Sequence, residues 1–527
     1  MKSWILRKKA LGVLLLSLVV LVVAGCQAVG GVDFNAMLKQ AMKVTAYEGS
    51  ESVEFKLLPK EGAADVFEGE AGELLKLVSN VKLTLTDVKT SEKDGMSAAG
   101  NLALGEKNIG FSLKMNNEAA ELDLEGAKQP ILLPLAEGGL AIPGAGIGTD
   151  AGAASVTEAG KAIIDAVSGY AIDNLPNPSH LKVTPGQETV NGESVTGMSV
   201  HAELTGKELW NWLKSYLDAL IADKEGLKAL LKGVLEAVRS QEGAIAASPA
   251  EELFGTLPEE DNLDEAADQI YEALTQLKAE LAKAETEEAD ALNSVFNDGT
   301  YVKGDLFIDG KLDIRKAVLE AGVKLTDSAA AEDEEEAMGL SAMMPFEGIQ
   351  LKITSDRWNV NGDVKPLQPS AGKPALSANA LMSMQGYEVL RQFEPNSVVY
   401  DLLRNQAHIS QQMVIMSADY DRSAPIITPG GITIVPLRYT AQSFGATLAK
   451  SGSSLIVKDG ATNATISLKN GSGNAIINGK TVKWSFPTTV VNGVTYVPAR
   501  DFAKALGAQI RWENMFGTKV LIMDREP

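Results

Sequence analysis

One cysteine in 527 residues leaves the chain without a disulfide framework, so an exported form of it must be held together by packing alone. Histidine is almost as scarce. His180, His201 and His408 stand far apart, none has a second histidine or a cysteine at ligand spacing, and no H-E-x-x-H occurs. That pattern predicts surface or structural histidines and no metal site. No nucleophile motif stands out among the serines, and carboxylates are too numerous for any pair to be singled out as catalytic. Positive charge is in deficit as well, with 48 Lys and Arg against 69 Asp and Glu and a net charge of −21. So acidic a surface disfavours nucleic acid and anionic headgroups, and any membrane attachment must come from something other than a basic patch.

The N-terminus breaks the acidic trend. Lys2, Arg7, Lys8 and Lys9 precede an apolar run from Ala10 to Ala24, which has the layout of a secretory signal and is short for a spanning helix. The run ends in Val23-Ala24-Gly25-Cys26, where small residues leave the backbone open to a peptidase and the thiol that follows is a nucleophile for acylation. This resembles the bacterial lipoprotein lipobox. The resemblance implies cleavage between Gly25 and Cys26, a diacylglyceryl thioether on Cys26, and anchorage to the outer face of the cytoplasmic membrane. An ordinary signal peptide with an incidental cysteine is the alternative. Loss of the four basic residues before Cys26 would take the net charge from −21 to −25 over the 502 residues that remain, a length for roughly three domains.

Behind a tether at 26–32, Phe34, Met37, Leu38 and Ala41 recur at helical spacing. Alternation then takes over. Val53, Phe55 and Leu57, then Val81, Leu83 and Leu85, then Ile109, Phe111, Leu113 and Met115, then Leu122 and Leu124 mark strands, and the polar turn 105–108 predicts antiparallel hairpins. Such a sheet buries one face and wets the other. A Gly- and Pro-rich stretch at 138–152 precedes a helix at about 157–167. The turn Asn191-Gly192 leads into a strand at 198–204, and Thr205 with Glu208 forms a capping box. Helical stripes follow through Leu209, Trp212 and Tyr216, through 227–238 and through 263–281; the stripe with Trp210 and Trp212 reads as core rather than as a sugar platform. Strands return at 301–308 and 312–318, joined by the hairpin signal Asp309-Gly310, and at 349–353. The order predicts an α+β fold: one large antiparallel-sheet body at 33–366 with a helical insertion at about 155–290, because neither strand block alone has hairpins enough for an independent sandwich. It resembles the half-barrel carriers of lipoproteins and lipids. That resemblance implies a curved sheet cupping an apolar small molecule against helices, with Phe111, Trp212 and Tyr216 as candidate lining residues. An acidic, then Met-rich excursion at 329–344 reads as a loop, and three prolines in 366–376 predict a linker at 367–376.

The last fifth of the chain repeats itself. Ile434-Val435-Pro436-Leu437-Arg438 with Phe444-Gly445-Ala446 returns as Tyr496-Val497-Pro498-Ala499-Arg500 with Leu506-Gly507-Ala508, each matched pair 62 positions apart. A strand ends at the valine, and proline fills the first helical turn, where its missing amide does no harm. Gly445 and Gly507 then close short helices in a left-handed conformation. Arg438 and Arg500 stand near helix N-termini, where the dipole disfavours cations, so their recurrence predicts paired salt bridges or carbonyl contacts across the halves, with Asp501 able to neutralise Arg500. These residues resemble the copper amine oxidase N-terminal-like domain of exported bacterial proteins, whose units carry V-P-x-R, a helix and G-A. The first copy departs from it with Pro429-Gly430-Gly431 where Asn-Gly is usual and without a counterpart of Trp512. The resemblance implies a small duplicated α+β stalk module at 377–527, with its repeat core at 425–527. It also implies no copper, quinone or other cofactor, because that domain is an appendage remote from the oxidase centre.

Two further runs carry no chemistry. Gly144-x-Gly146-x-Gly148 lacks the Lys-Ser/Thr and the βα unit of a phosphate loop, and the acidic run at 332–336 lacks calcium-loop spacing. The leading reading is therefore a lipid-anchored, non-catalytic envelope protein that binds or contacts another envelope or wall component. The alternative is a carrier or sensor of an apolar ligand held by the sheet. A third, an envelope hydrolase, would need clustered carboxylates or a nucleophile–base pair that the sequence does not display.

Overall fold

The computed structural model describes residues 31–60, 69–135, 151–239, 263–324, 346–370, 374–417, 424–515 and 517–527. Gly25, Cys26, the glycines of 144–148 and the acidic run 332–336 lie outside these residues. Two units divide the chain: Met1–Glu125 with Pro130–Ser377, and Gly126–Gln129 with Ala378–Pro527.

In the first unit α1 (Phe34–Met42) starts where the Asp33 carboxylate accepts the Ala36 amide at 2.9 Å, a side-chain N-cap. Next come β1 (Ala46–Pro59), α2 (Gly69–Ser79), β2 (Asn80–Ser91), β3 (Gly95–Leu104), β4 (Lys107–Met115), β5 (Ala119–Leu124), β6 (Ile131–Pro134) and α3 (Ala151–Asp173). The hairpin β7 (His180–Val190) and β8 (Glu193–Thr205) precedes α4 (Gly206–Ala222), α5 (Lys224–Arg239), α6 (Leu263–Glu287) and α7 (Ala289–Val295). The unit closes with β9 (Tyr301–Asp309), β10 (Ile314–Lys324), β11 (Phe346–Trp358) and the two-residue β12 (Leu376–Ser377).

All of these strands join one 12-stranded sheet in the order β12-β6-β5-β4-β3-β2-β1-β11-β10-β9-β8-β7, antiparallel except for β12 on β6. It curves into a half-barrel. Residues directly opposite across strands share a face. One row therefore runs His180, Glu203, Lys303, Glu320, Lys352, Glu54 and Lys82 from β7 to β2, with the sign of charge alternating at each step once His180 is protonated. Lys303 and Glu203 stand 3.1 Å apart, and Lys352 and Glu320 2.6 Å apart. Exposed pairs of this kind add little stability each, but together they keep this face wet and penalise a register slip. The opposite face carries mainly apolar side chains where Val53, Phe55, Leu351 and Ile353 lie. Helices bury it at the β8–β10 side, where Phe34 and Met37 meet Val200, Leu306 and Ile308, and where Leu209 and Trp212 meet Leu204 and Val302.

Several local features differ from the sequence reading. The interval 155–290 carries the hairpin β7–β8 as well as helices, its Asn191-Gly192 turn having φ of 49° and 79°. In place of a two-residue hairpin at Asp309-Gly310, β10 begins only at Ile314 and Leu312 takes φ 66°. The cause is the Asp309 carboxylate, which accepts from the amides of Lys311 (2.9 Å) and Asp313 (3.2 Å) and pairs with Arg315 (3.0 Å). Within the proline-rich stretch, Leu367 donates its amide to Ser97 Oγ at 3.0 Å and Ser370 donates to buried Glu121 at 2.6 Å, so these residues are bound to the sheet rather than free as a linker. Glu121 also takes Lys114 at 2.7 Å; burial alone would raise its carboxyl, but these donors hold it below the ordinary glutamate value.

The second unit contains α8 (Ala378–Ser383), α9 (Gly386–Leu390), α10 (Val398–Asp401) and a π turn at Leu402–Gln406. Strands β13 (Gln412–Ser417), β14 (Ile426–Ile427) and β15 (Thr433–Pro436) lead to α11 (Leu437–Ser443). After it come β16 (Thr447–Ser451), β17 (Ser454–Lys458), β18 (Thr465–Lys469), β19 (Asn474–Ile477), β20 (Lys480–Lys483), β21 (Thr489–Val491) and β22 (Val494–Pro498). Then α12 (Ala499–Ala505), β23 (Gln509–Met515) and β24 (Thr518–Arg525) complete it. Sheets β13-β24-β23, β14-β15-β22-β21 and β16-β17-β18-β19-β20 enclose a single cluster in which Leu437, Phe444, Phe502 and Leu506 are fully buried. The antiparallel pair β15–β22 is centred on Val435 opposite Val497, flanked by Ile434 opposite Pro498 and Pro436 opposite Tyr496. The two residues at the centre are sequence equivalents, so the repeats meet about a local pseudo-twofold axis.

Candidate functional site

The candidate site is the stretch of apolar sheet face that the helix clusters do not bury. Across β10, β11, β1 and β2, one apolar row runs Leu319, Ile353, Val53 and Leu83, and the next runs Ala321, Leu351, Phe55 and Val81. It extends through Leu102 on β3 and Leu113 on β4 to Leu122 on β5. Branched and aromatic residues fit these pleated positions, but here they lack the cover that Val200 and Leu306 have. Val53 is 36% and Ile349 47% exposed, and Phe55, Leu57, Leu83 and Leu351 are half-buried. An apolar face left this open marks a binding surface more often than a plain exterior.

The same face turns polar at one end. Tyr47, Gly49 and Glu51 precede Val53 on β1, and Glu51 lies opposite Ser355, Gly49 opposite Arg357. Tyr47 donates its hydroxyl to Glu51 Oε1 at 3.0 Å, and Arg357 Nη2 reaches the same oxygen at 3.5 Å. Arg357 Nε donates to Ser355 Oγ at 3.2 Å, and its guanidinium lies 4.6 Å from the centre of the Tyr47 ring. Burial, then the charge of Glu51, pushes the Tyr47 phenol up against the opposing pull of Arg357, so it stays a donor. Sequence reasoning missed this group because Arg357 and Glu51 are 306 positions apart.

Of the lining residues proposed from sequence, Phe111 sits on β4, half-buried in register with Leu124. Its ring covers Gly100, where an added Cβ would come within 2.7 Å of it. Trp212 and Tyr216 are elsewhere, stacked on each other at 5.6 Å in the helical cluster with Leu204 and Phe296. Trp212 Nε1 donates to the Pro176 carbonyl at 2.8 Å and Tyr216 to that of Ala171 at 3.1 Å, so both polar tips are committed to backbone. Two clefts of about 350 and 540 Å³ lie at Lys214, Asp218 and Lys278 and at Lys93, Asn116 and Lys365; the first is also lined by apolar Leu217, Leu281 and Ala282, and the second is lined mainly by polar side chains. Each histidine faces a carboxylate: His180 with Glu208 at 2.7 Å, His201 with Asp305 at 2.8 Å and His408 with Glu526 at 3.4 Å. Among the described residues no group of three or more His, Cys, Asp or Glu is arranged to hold a metal.

In the repeat, Val435 and Val497 are fully buried at the symmetric strand pair, Pro436 and Pro498 cap α11 and α12, and Gly445 and Gly507 both have φ 70°. The arginines depart from expectation. Arg438 and Arg500 are exposed, and neither makes an ion pair or hydrogen bond among the described residues. Inward positions go to Leu437 with Ala441 and to Ala499 with Ala503, which leaves the next residue of each helix facing water. Asp501 is taken by the Ser485 amide (2.7 Å) and hydroxyl (2.6 Å) rather than by Arg500. The linking role falls to Arg525, which donates to Phe444 O at 3.1 Å and Leu506 O at 2.7 Å, the carbonyls that end the two repeat helices. Both of its terminal nitrogens also meet Asp459, at 2.6 and 2.8 Å, and Nε meets Gln412 at 2.7 Å. Burial would raise the Asp459 carboxyl, but Arg525 and Thr462 outweigh it and hold it below the usual aspartate range.

Residues 417–520 match the family model of the copper amine oxidase N-terminal domain. None of the curated proteins compared matches the chain significantly. Among solved structures, the crystal structure of the Mycobacterium tuberculosis lipoprotein LppX is similar to it at 9% identity and a TM-score of 0.18, over 63% of this chain and 96% of that one. Among the described residues no helix is long and apolar enough to cross a membrane.

Proposed function

We propose that this is an exported, lipid-anchored, non-catalytic envelope protein whose half-barrel unit carries an apolar ligand on its concave face. The observation that carries this reading is the pair of apolar rows through Val53 and Phe55, left open on a sheet whose other face is laddered with charge. A face meant for water would not hold Ile349 at 47% exposure beside Leu57. A non-catalytic role is supported by the match of 417–520 to an oxidase's N-terminal domain rather than to its redox centre. Export and anchorage are supported by the lipobox-like Val23-Ala24-Gly25-Cys26. The second unit serves in this reading as the contact module toward other envelope components.

The test is direct. Full-length protein purified from membranes is extracted with organic solvent, and the extract is compared by mass spectrometry with that of Phe55→Asp, which places a charge in the middle of the trough. Lipid should co-purify in near-stoichiometric amount with the wild type and fall several-fold in the variant. Equal recovery from both would overturn the carrier reading.

A further inference from the structure

We propose that the ligand is an amphiphile with a zwitterionic phosphate-and-amine head, its chain lying along Val53, Phe55 and Leu57 and its head on Arg357 and Glu51. The inference rests on the carrier reading and specifies its ligand. Along β1 this face changes from Tyr47, Gly49 and Glu51 to Val53, Phe55 and Leu57, and β11 changes at the same level from Arg357 and Ser355 to Ile353, Leu351 and Ile349. Successive residues on one face are about 7 Å apart along a strand, so a single molecule spans the boundary between the two chemistries.

The guanidinium of Arg357 is underused. Its bond to Glu51 is one contact at 3.5 Å, the outer limit for a hydrogen bond, and Nη1 makes none among the described residues. Arginine presents five N–H donors in a plane that matches a phosphate bidentately, and a half-buried guanidinium gains more from such a partner than an exposed one. Ser355 and the Tyr47 ring already fix its orientation. A bare anion would meet the Glu51 carboxylate beside it and the acid excess of the whole chain, net charge −21. A head that also carries an ammonium gives Glu51 a cation to replace the weak link to Arg357. The Tyr47 hydroxyl donates to Glu51 at 3.0 Å and fixes that carboxylate beside Arg357.

The experiment titrates full-length protein with two probes of equal acyl length, lysophosphatidylethanolamine and a monoacylglycerol, and adds lysophosphatidylglycerol as the anionic comparison. Wild type should bind the zwitterion most tightly. Arg357→Met should weaken the zwitterion about tenfold and leave the monoacylglycerol within about twofold, the loss expected for a charge-assisted hydrogen bond. Glu51→Gln should weaken the zwitterion and strengthen the anionic probe. If Arg357→Met does not fold, Glu51→Gln and Arg357→Lys carry the test, the lysine variant retaining charge but losing bidentate geometry. Equal losses on all probes, or no loss on the zwitterion, would overturn the head assignment while leaving the carrier reading intact. Failure of the wild type to bind any of the three would overturn both.

Discussion

Arg525 donates to the carbonyls that end two helices while its charge is matched by Asp459, and both side chains are only 1% exposed. Removing one member of such a pair leaves the other charged and dry, which costs far more than the pair contributes relative to apolar neighbours. Asp459→Asn should therefore destabilise the second unit by about 3–5 kcal/mol, read from hydrogen exchange of the β24 amides. The sign of the pH effect follows from the lowered carboxyl. Its folded value lies below the unfolded value of about 3.9, so its stabilisation is complete above that value and is lost as pH falls through the folded one. Wild type and Asp459→Asn should consequently converge in stability below about pH 4; a constant gap down to pH 2 would contradict the assignment. Repetition in the sequence drew attention to Arg438 and Arg500, which face water. Arg525 was invisible because one side chain reaching both equivalent carbonyls has no repeat partner, and its contacts lie 19, 66 and 81 positions away.

Elements built from local chemistry were readable, and those shaped by distant side chains were not. Alternation at Val53, Phe55 and Leu57 and at Ile109, Phe111 and Leu113 foretold strands because pleating demands it, and Gly445 and Gly507 foretold helix ends because few residues tolerate φ 70°. Strand β12 and the anchored residues 367 and 370 escaped notice because prolines outweighed partners such as Ser97 and Glu121, which lie over 200 positions earlier. The two glycines, equivalent in sequence and conformation, differ in what surrounds them. An added Cβ at Gly507 meets only Thr462 at 3.5 Å, an ordinary contact, whereas at Gly445 it comes within 2.3 Å of the Gln385 amide. Gln385 is the N-cap residue of α9 and is bonded to Gln412 at 3.3 Å, so it does not yield freely. Gly507→Ala should cost about 1–2 kcal/mol from backbone strain alone, and Gly445→Ala measurably more, compared by denaturant unfolding. Because Phe444, Phe502 and Leu506 share one core, either variant should expose both repeats to a protease together. Protection of one repeat while the other is cut would mean that they fold separately.

For the molecule as a whole, the excess of 69 acidic over 48 basic residues makes electrostatic adhesion to an anionic bilayer unfavourable, so membrane attachment would depend on the lipid proposed for Cys26. A covalent anchor at Cys26 would also limit where the proposed carrier face can lie. Val32 is buried with Val200, Leu306 and Ile308 on that face, and Cys26 lies six positions earlier. Six extended residues span at most about 21 Å, so an acylated Cys26 would hold that corner of the trough within about 20 Å of the bilayer surface, a short transfer path for a lipid. Two acyl chains suffice for stable residence, since each buried methylene contributes about 0.8 kcal/mol. Cys26→Ser cannot form the thioether, because a hydroxyl is not the thiol nucleophile that acylation uses. The variant should lose incorporation of a fatty-acid analogue fed to growing cells and shift from the membrane to the medium or to an unprocessed precursor. Its purified soluble fraction should also carry less co-extracted lipid than wild type, despite an unaltered trough, because loading is then no longer confined to the membrane surface. Equal labelling of both proteins would refute the anchor, whereas lost labelling with undiminished lipid content would separate anchorage from loading.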